Sequence, residues 1–105
     1  DAGPLVMLAA GGILTEIYCD RAMRLAPVSV EQAREMVSEV KALQALAGYR
    51  GRPEGDLEAI AEAVSAFSKL AMQTDCVVIE AEMNPLLVKG KGDGVVAVDA
   101  LIRIA

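Results

Sequence analysis

The sequence has no histidine and no tryptophan, and only one phenylalanine, two tyrosines and two cysteines in 105 residues. Without histidine, the chain itself holds no Ser-His-Asp or Cys-His nucleophile, no histidine zinc ligand and no site for a phosphohistidine. So few aromatic rings leave no stacking platform for single-stranded nucleic acid. Basic residues are also in deficit, ten Lys and Arg against fifteen Asp and Glu, giving a net charge of −5 and a pI near 4.6. Phosphate backbones are bound by basic patches, so no nucleic acid is expected as a partner. Cys19 and Cys76 are too far apart for a CxxC pair and too few for a disulfide scaffold, which fits reduced thiols in the cytoplasm. Long apolar runs are missing too. Residues 2–15 are nearly uncharged, but Gly3, Pro4, Gly11 and Gly12 interrupt them; they fall short of a membrane span and lack a signal-peptide pattern. A cytoplasmic chain without membrane contact is expected, and its start at Asp1 reads as a piece of a longer polypeptide.

What is present is apolar surface. Hydrophobic residues make up 54% and charged residues 24%, with a mean hydropathy of +0.41, more than one small core absorbs. Some of it should meet a partner, and a homo-oligomer is one possibility. The length fits one domain, residues 1–105. Leu5 to Ala10 and Ile13 to Tyr18 read as extended segments around the Gly11-Gly12 pair. A turn at Cys19-Asp20-Arg21 then leads to a strand over Ala22 to Ala26, with Tyr18 opposite Ala22 and Glu16 opposite Arg24. Ser29 and Gln32 form a capping box, and Ala33, Met36, Val37, Val40, Leu43 and Ala47 keep helical spacing to a Gly48 cap. Asp56 caps a second helix with the stripe Leu57, Ile60, Ala61, Val64, Phe67 and Ala71. Val77 to Val88, interrupted by Pro85, and Val95 to Ile104 read as a hairpin across Lys89 to Gly94. The fold class is α+β, a mostly antiparallel sheet with two main helices in the order β-β-β-α-α-β-β.

The final hairpin carries the chemistry. Period-two alternation places Val77, Ile79, Ala81, Met83 and Leu87 with Val96, Val98, Ala100, Ile102 and Ile104 on one apolar face, expected to cover the helices. The other face holds Glu80, Glu82, Asn84, Leu86 and Val88 with Val95, Ala97, Asp99, Leu101 and Arg103. If Val88 pairs with Val95, Asn84 faces Asp99, Glu82 faces Leu101 and Glu80 faces Arg103. Opposed Cβ atoms lie roughly 4.5–5.5 Å apart, close enough for Asn84 and Asp99 to share a hard cation such as Mg²⁺. Two other readings stay open. Asn84 can cap the kink before Pro85 while Glu80 and Arg103 form an exposed ion pair. A two-residue turn at Asp93-Gly94 would instead set Asn84 opposite Arg103. The Lys89 to Gly94 run is not a Walker loop, since no Gly-Lys-Ser/Thr leads into a helix. Gly11-Gly12 can offer backbone amides to an anion or serve only as a turn.

Taken in order, Gly11 to Glu16, Asp20, Met23 to Pro27, Gly48 to Pro53, Glu80-Ala81-Glu82-Met83-Asn84-Pro85-Leu86 and Val95 to Asp99 resemble the nucleotide-binding part of NDP-forming acyl-CoA synthetases. These are ATP-grasp relatives of the succinyl-CoA synthetase β subunit, and the resemblance runs over essentially the whole chain. It implies a C-terminal ATP-grasp lobe in which Asn84 and Asp99 bind the Mg²⁺ of ATP or another NTP. Glu82 matches the acidic position of the same motif, and Glu16 a carboxylate facing the nucleotide cleft. Gly11, Gly12 and Arg24 complete the nucleotide and phosphate set that the resemblance implies. The implied reaction joins an acid and CoA at the expense of a nucleoside triphosphate, through acyl-phosphate and phosphohistidine intermediates. An N-terminal ATP-grasp lobe and CoA-binding domains would be the partners, and this chain alone would be inactive. The alternative from another class is a non-catalytic α+β module for dimerisation or small-anion binding.

Overall fold

The computed structural model describes residues 4–11, 20–48, 51 and 53–105. β1 (Leu5–Ala9) and β2 (Arg21–Leu25) pair antiparallel, with Val6 opposite Arg24 and Leu8 opposite Ala22. Val6 and Ala22 face the core, whereas the opposed pairs Leu5/Leu25 and Met7/Met23 are exposed. The expected strand Ile13 to Tyr18, and with it the Glu16 to Arg24 pairing, lies outside the described residues.

α1 (Val30–Glu39) starts at the expected capping box: the Gln32 amide donates to Ser29 Oγ at 3.1 Å and the Ser29 amide to Gln32 Oε1 at 3.0 Å. It does not run on to Gly48. At Val40 the backbone turns extended, and Lys41–Leu46 continues as a 3₁₀ turn. Two side chains account for the break. Asp20 accepts the amides of Lys41 (2.7 Å) and Ala42 (2.9 Å), and Gln44 Nε2 donates to the Val37 carbonyl at 3.0 Å, replacing the helical bond that carbonyl loses. Three residues per turn then aligns Val40, Leu43 and Leu46 on the core, and Ala47, assigned to the apolar stripe from its spacing, is exposed.

α2 (Leu57–Ser68) begins at Asp56, whose carboxylate accepts from the Ala59 amide at 3.0 Å, and it is followed by a 3₁₀ turn, Lys69–Met72. Ile60, Ala61 and Val64 pack against Ala33, Met36, Val37 and Val40 of the α1 segment to form the core. Two serines are buried beside them. Ser65 Oγ donates to the Val28 carbonyl at 2.7 Å, and Ser68 Oγ accepts from the Val28 amide at 2.9 Å. The Arg34 guanidinium binds both oxygens of Glu58 (2.9 and 2.7 Å) across the two helices.

The C-terminal hairpin is divided into two ladders. β3 (Val78–Met83) pairs with β6 (Ala100–Ile104), and β4 (Leu86–Val88) with β5 (Val95–Ala97). Val88 is opposite Val95, Glu82 opposite Leu101 and Glu80 opposite Arg103, so the register set by a Val88–Val95 pair holds, and the Asp93-Gly94 two-residue turn does not occur. The second strand, expected to be continuous from Val95 to Ile104, breaks at Val98-Asp99, level with Asn84-Pro85. The Asn84–Pro85 bond is cis.

The hairpin does not lay its all-apolar face on the helices, although its alternation predicts that it should. The hairpin meets the core through Val88 and Val95, while Leu87 is 53% and Ile102 54% exposed, so the all-apolar face does not cover the helices. The cause is the docking of the turn at the start of α2, which brings the first pair of rungs to the core. A register shift between Val78 and Glu80 also resets the alternation: Val78, Ala81 and Met83 are half-buried, and Ile79 joins Glu80 and Glu82 in solvent.

Candidate nucleotide and metal site

Asn84 and Asp99 sit where both strands leave the ladder. The Asn84 amide donates to the Asp99 carbonyl at 3.0 Å, and the Val98 amide to the Pro85 carbonyl at 3.0 Å, so backbone bonds carry the register across the break. Both residues are exposed, so an amide-bearing and a carboxylate-bearing residue stand side by side at the break in the two ladders. Such a hard-oxygen donor set fits Mg²⁺, which takes one or two protein ligands and keeps water or phosphate oxygens for the rest. Glu82, two residues before Asn84, is exposed opposite Leu101. Among the described residues no salt bridge joins Glu80 to Arg103, although they are opposite in register. Nor does any group of three His, Cys, Asp or Glu side chains form a ready-made metal cage there.

Of the remaining candidates the structure describes Gly11 and Arg24. Gly11 follows β1 with φ +87°, a left-handed conformation that glycine adopts freely. Gly12 and Glu16 lie outside the described residues. Arg24, on β2, donates through Nη1 to Glu39 Oε1 (3.0 Å) and to the Met23 carbonyl (2.9 Å), and its Nη2 binds Glu39 Oε2. The hydrogen bond to Glu39 raises the pKa of Arg24 and holds the Glu39 carboxyl below the usual carboxylate range.

Two acids do more than the sequence suggests. Asp20, placed in a turn, caps the 3₁₀ segment after α1. Asp56, read as a helix cap, also accepts the Gly92 and Gly94 amides at 3.1 and 2.8 Å. Hydrogen bonds from the Ala59 and Gly94 amides, and then Gly92, hold its carboxyl below the ordinary range against the opposing effect of burial. A spare acceptor oxygen on a capping aspartate and a glycine-rich turn in need of acceptors are the sequence signals for this link. Among the described residues, no helix is long and apolar enough to cross a membrane.

The profile of the ATP-grasp domain matches residues 1–104. The chain belongs to the ATP-grasp domain family. Over 100 residues it is 40% identical to the beta subunit of ADP-forming acetate–CoA ligase II from Pyrococcus furiosus, covering 95% of this chain and 42% of that subunit. Over 94 residues it is 39% identical to ADP-forming acetate–CoA ligase I from Archaeoglobus fulgidus, covering 90% of this chain and 14% of that protein. Among solved structures, it is similar to dinucleotide-forming acetyl-coenzyme A synthetase 1 of Ca. Korarchaeum cryptofilum in complex with coenzyme A and Mg-AMPPCP. The TM-score is 0.83 at 34% identity, covering 99% of this chain and 47% of that one. This ATP-grasp chain thus spans less than half the length of these relatives.

Proposed function

We propose that residues 1–105 are the C-terminal ATP-grasp lobe of an NDP-forming acyl-CoA synthetase, which converts an acid, CoA and a nucleoside triphosphate to acyl-CoA, NDP and phosphate. The observation that supports the reading is the hydrogen bond from the Asn84 amide to the Asp99 carbonyl, which holds the backbones of two exposed, oxygen-bearing residues side by side in a chain 40% identical to a subunit of an ADP-forming ligase. In this reading Asn84 and Asp99 hold the Mg²⁺ of ATP or another NTP, and the ion, when bound, offsets negative charge on the phosphates. Glu82 orients water or nucleotide oxygens beside that pair. Gly11 and Gly12 offer backbone amides to phosphate, and Glu16 faces the same cleft. Arg24 belongs to the phosphate-binding set in this reading, and it reaches a phosphate by giving up bonds to Glu39, which engages both of its terminal nitrogens. The N-terminal lobe and CoA-binding domains complete the site, and the working location is the cytoplasm.

The test is acid- and CoA-dependent NDP release by the full-length protein. Asp99→Asn should lower turnover by more than the roughly 10–100-fold typical of changes to groups that only orient a metal ligand, with the melting midpoint nearly unchanged. Asn84→Ala should act in the same direction, and the 105-residue chain alone should be inactive. Full activity of Asp99→Asn would sink the reading.

A further inference from the structure

The turn that closes the C-terminal hairpin is held by a carboxylate from another element. Asp56 Oδ1 caps α2 through the Ala59 amide, while Oδ2 accepts the Gly92 and Gly94 amides. Gly92 and Gly94 have φ of +88° and +86°, left-handed values that let both amides turn to the one oxygen. The contact is reinforced on either side. The Asp56 amide donates to the Lys89 carbonyl (2.9 Å), the Lys91 amide donates to the Glu54 carbonyl (3.0 Å), and Gly55 forms a β-bridge with Gly90. A Cβ on Gly55 would come within 3.0 Å of the Leu46 side chain, so this strip lies directly against the helical layer. Asp56 is only 8% exposed, which limits competition from water for these bonds.

From this clamp, β4 and β5 lead straight to the candidate metal pair. Val88 pairs with Val95 beside the turn, Leu86 pairs with Ala97, and the next bonds join Val98 to Pro85 and Asn84 to Asp99. Asn84 is four residues from Val88, roughly 13 Å along a strand. A two-stranded ribbon is marginally stable by itself, so its direction is set where it is anchored. Here the anchors are Val88 and Val95 on the core and Asp56 at the turn.

We infer that Asp56 is a positioning residue for the Asn84–Asp99 pair: by fixing the Lys89–Gly94 turn on α2 it sets where the two oxygen donors are presented. This rests on the metal-site reading above, and the test separates the two. Asp56→Asn keeps an oxygen for the Ala59 amide but turns an NH₂ donor towards the Gly92 and Gly94 donors. Asp56→Ser keeps the cap and is too short to reach the turn. Ile60→Val, on the buried face of the same helix, is the stability control.

In the full-length protein, below every melting midpoint, hydrogen exchange at the Asn84 and Val98 amides, Mn²⁺ affinity by EPR in the presence of ADP, and the Mg²⁺ dependence of turnover are measured. Both Asp56 variants should speed exchange at these amides by at least about 10-fold. They should weaken Mn²⁺ binding by roughly 10-fold. Excess Mg²⁺ should restore much of their turnover, and Ile60→Val should change none of the three. Unchanged exchange or Mn²⁺ affinity in the Asp56 variants, or equal changes in Ile60→Val, overturns the inference. So does loss of folding in both variants, which would make Asp56 a residue of the fold alone. If Asp99→Asn abolishes Mn²⁺ binding while the Asp56 variants retain it, only the positioning role fails. If Asp99→Asn binds Mn²⁺ normally, the metal-site reading fails and takes this inference with it.

Discussion

The helical half and the C-terminal ribbon both carry apolar stripes, and these end in opposite states. In the first, Met36 and Val40 are fully buried and Ile60 is 1% exposed, each covered by the facing helix. In the second, Leu87, Val96, Val98, Leu101, Ile102 and Ile104 remain exposed after the chain has folded. The β1–β2 pair adds Leu5, Met7, Met23 and Leu25 on its outer side. The apolar excess in the composition is therefore not the mark of a large core. Much of it lies on sheet faces for which the described residues supply no second layer, and patches of that kind mark contact surfaces.

Point substitutions test this contrast most directly. Met36→Ala should cost about 2–5 kcal/mol in urea denaturation, the range for emptying a packed site. Ile102→Ala should cost less than about 1 kcal/mol in the 105-residue chain, since its side chain is already half in water. In an assembly that covers the ribbon the two costs should converge. An Ile102→Ala loss as large as that of Met36→Ala in the chain alone would break the comparison.

Self-association is the next largest effect. Light scattering of the 105-residue chain should show species above the monomer mass as concentration rises, and the double change Leu87→Lys, Ile102→Lys should reduce them. A strict monomer at high concentration would show that the exposed faces are tolerated as they stand.

The acid response should be smaller still, and it belongs to the helical side. Asp56, Glu39 and Glu58 all have folded pKa values below their ordinary ones. Their contribution is complete above the unfolded values, about 3.9 for Asp and 4.3 for Glu, and is lost as pH falls through the lower folded values. Asp56→Asn should therefore flatten the fall of the melting midpoint between about pH 5 and pH 2. Glu39→Gln should change it less, because the Arg24 pair is screened by solvent. An unaltered acid profile in Asp56→Asn would contradict the stabilisation assigned to its three amide bonds.

Much of this arrangement was legible because it depends on local chemistry. Ser29 with Gln32, Asp56 before an apolar stripe, and a glycine-rich turn between alternating strands each specify a boundary, and the register that places Asn84 beside Asp99 follows from the turn. What could not be read depends on contacts between distant residues. α1 ends at Val40 because Asp20, twenty positions earlier, takes the amides that open the next turn. The packing side of the hairpin depends on its anchorage at α2, and the shift near Ile79 cannot be seen in an alternating pattern that ignores bulges. The pairing expected between Arg24 and Glu16 lies outside the described residues, and the partners that the structure describes for Arg24, Val6 on β1 and the Glu39 carboxylate of α1, come from elements that no hairpin rule links to it.

The hydroxyl contacts at Val28 bear on the order in which the chain assembles. This residue joins β2 to α1, yet its amide and carbonyl are both served by α2, through serines 40 and 37 positions further on. The corner between β2 and α1 has the Ser29 capping box and the bond from the Ala26 amide to the Pro4 carbonyl, but its Val28 bonds wait on α2. That part of the junction is therefore expected to form as a non-local step although its two flanking elements are adjacent in the chain.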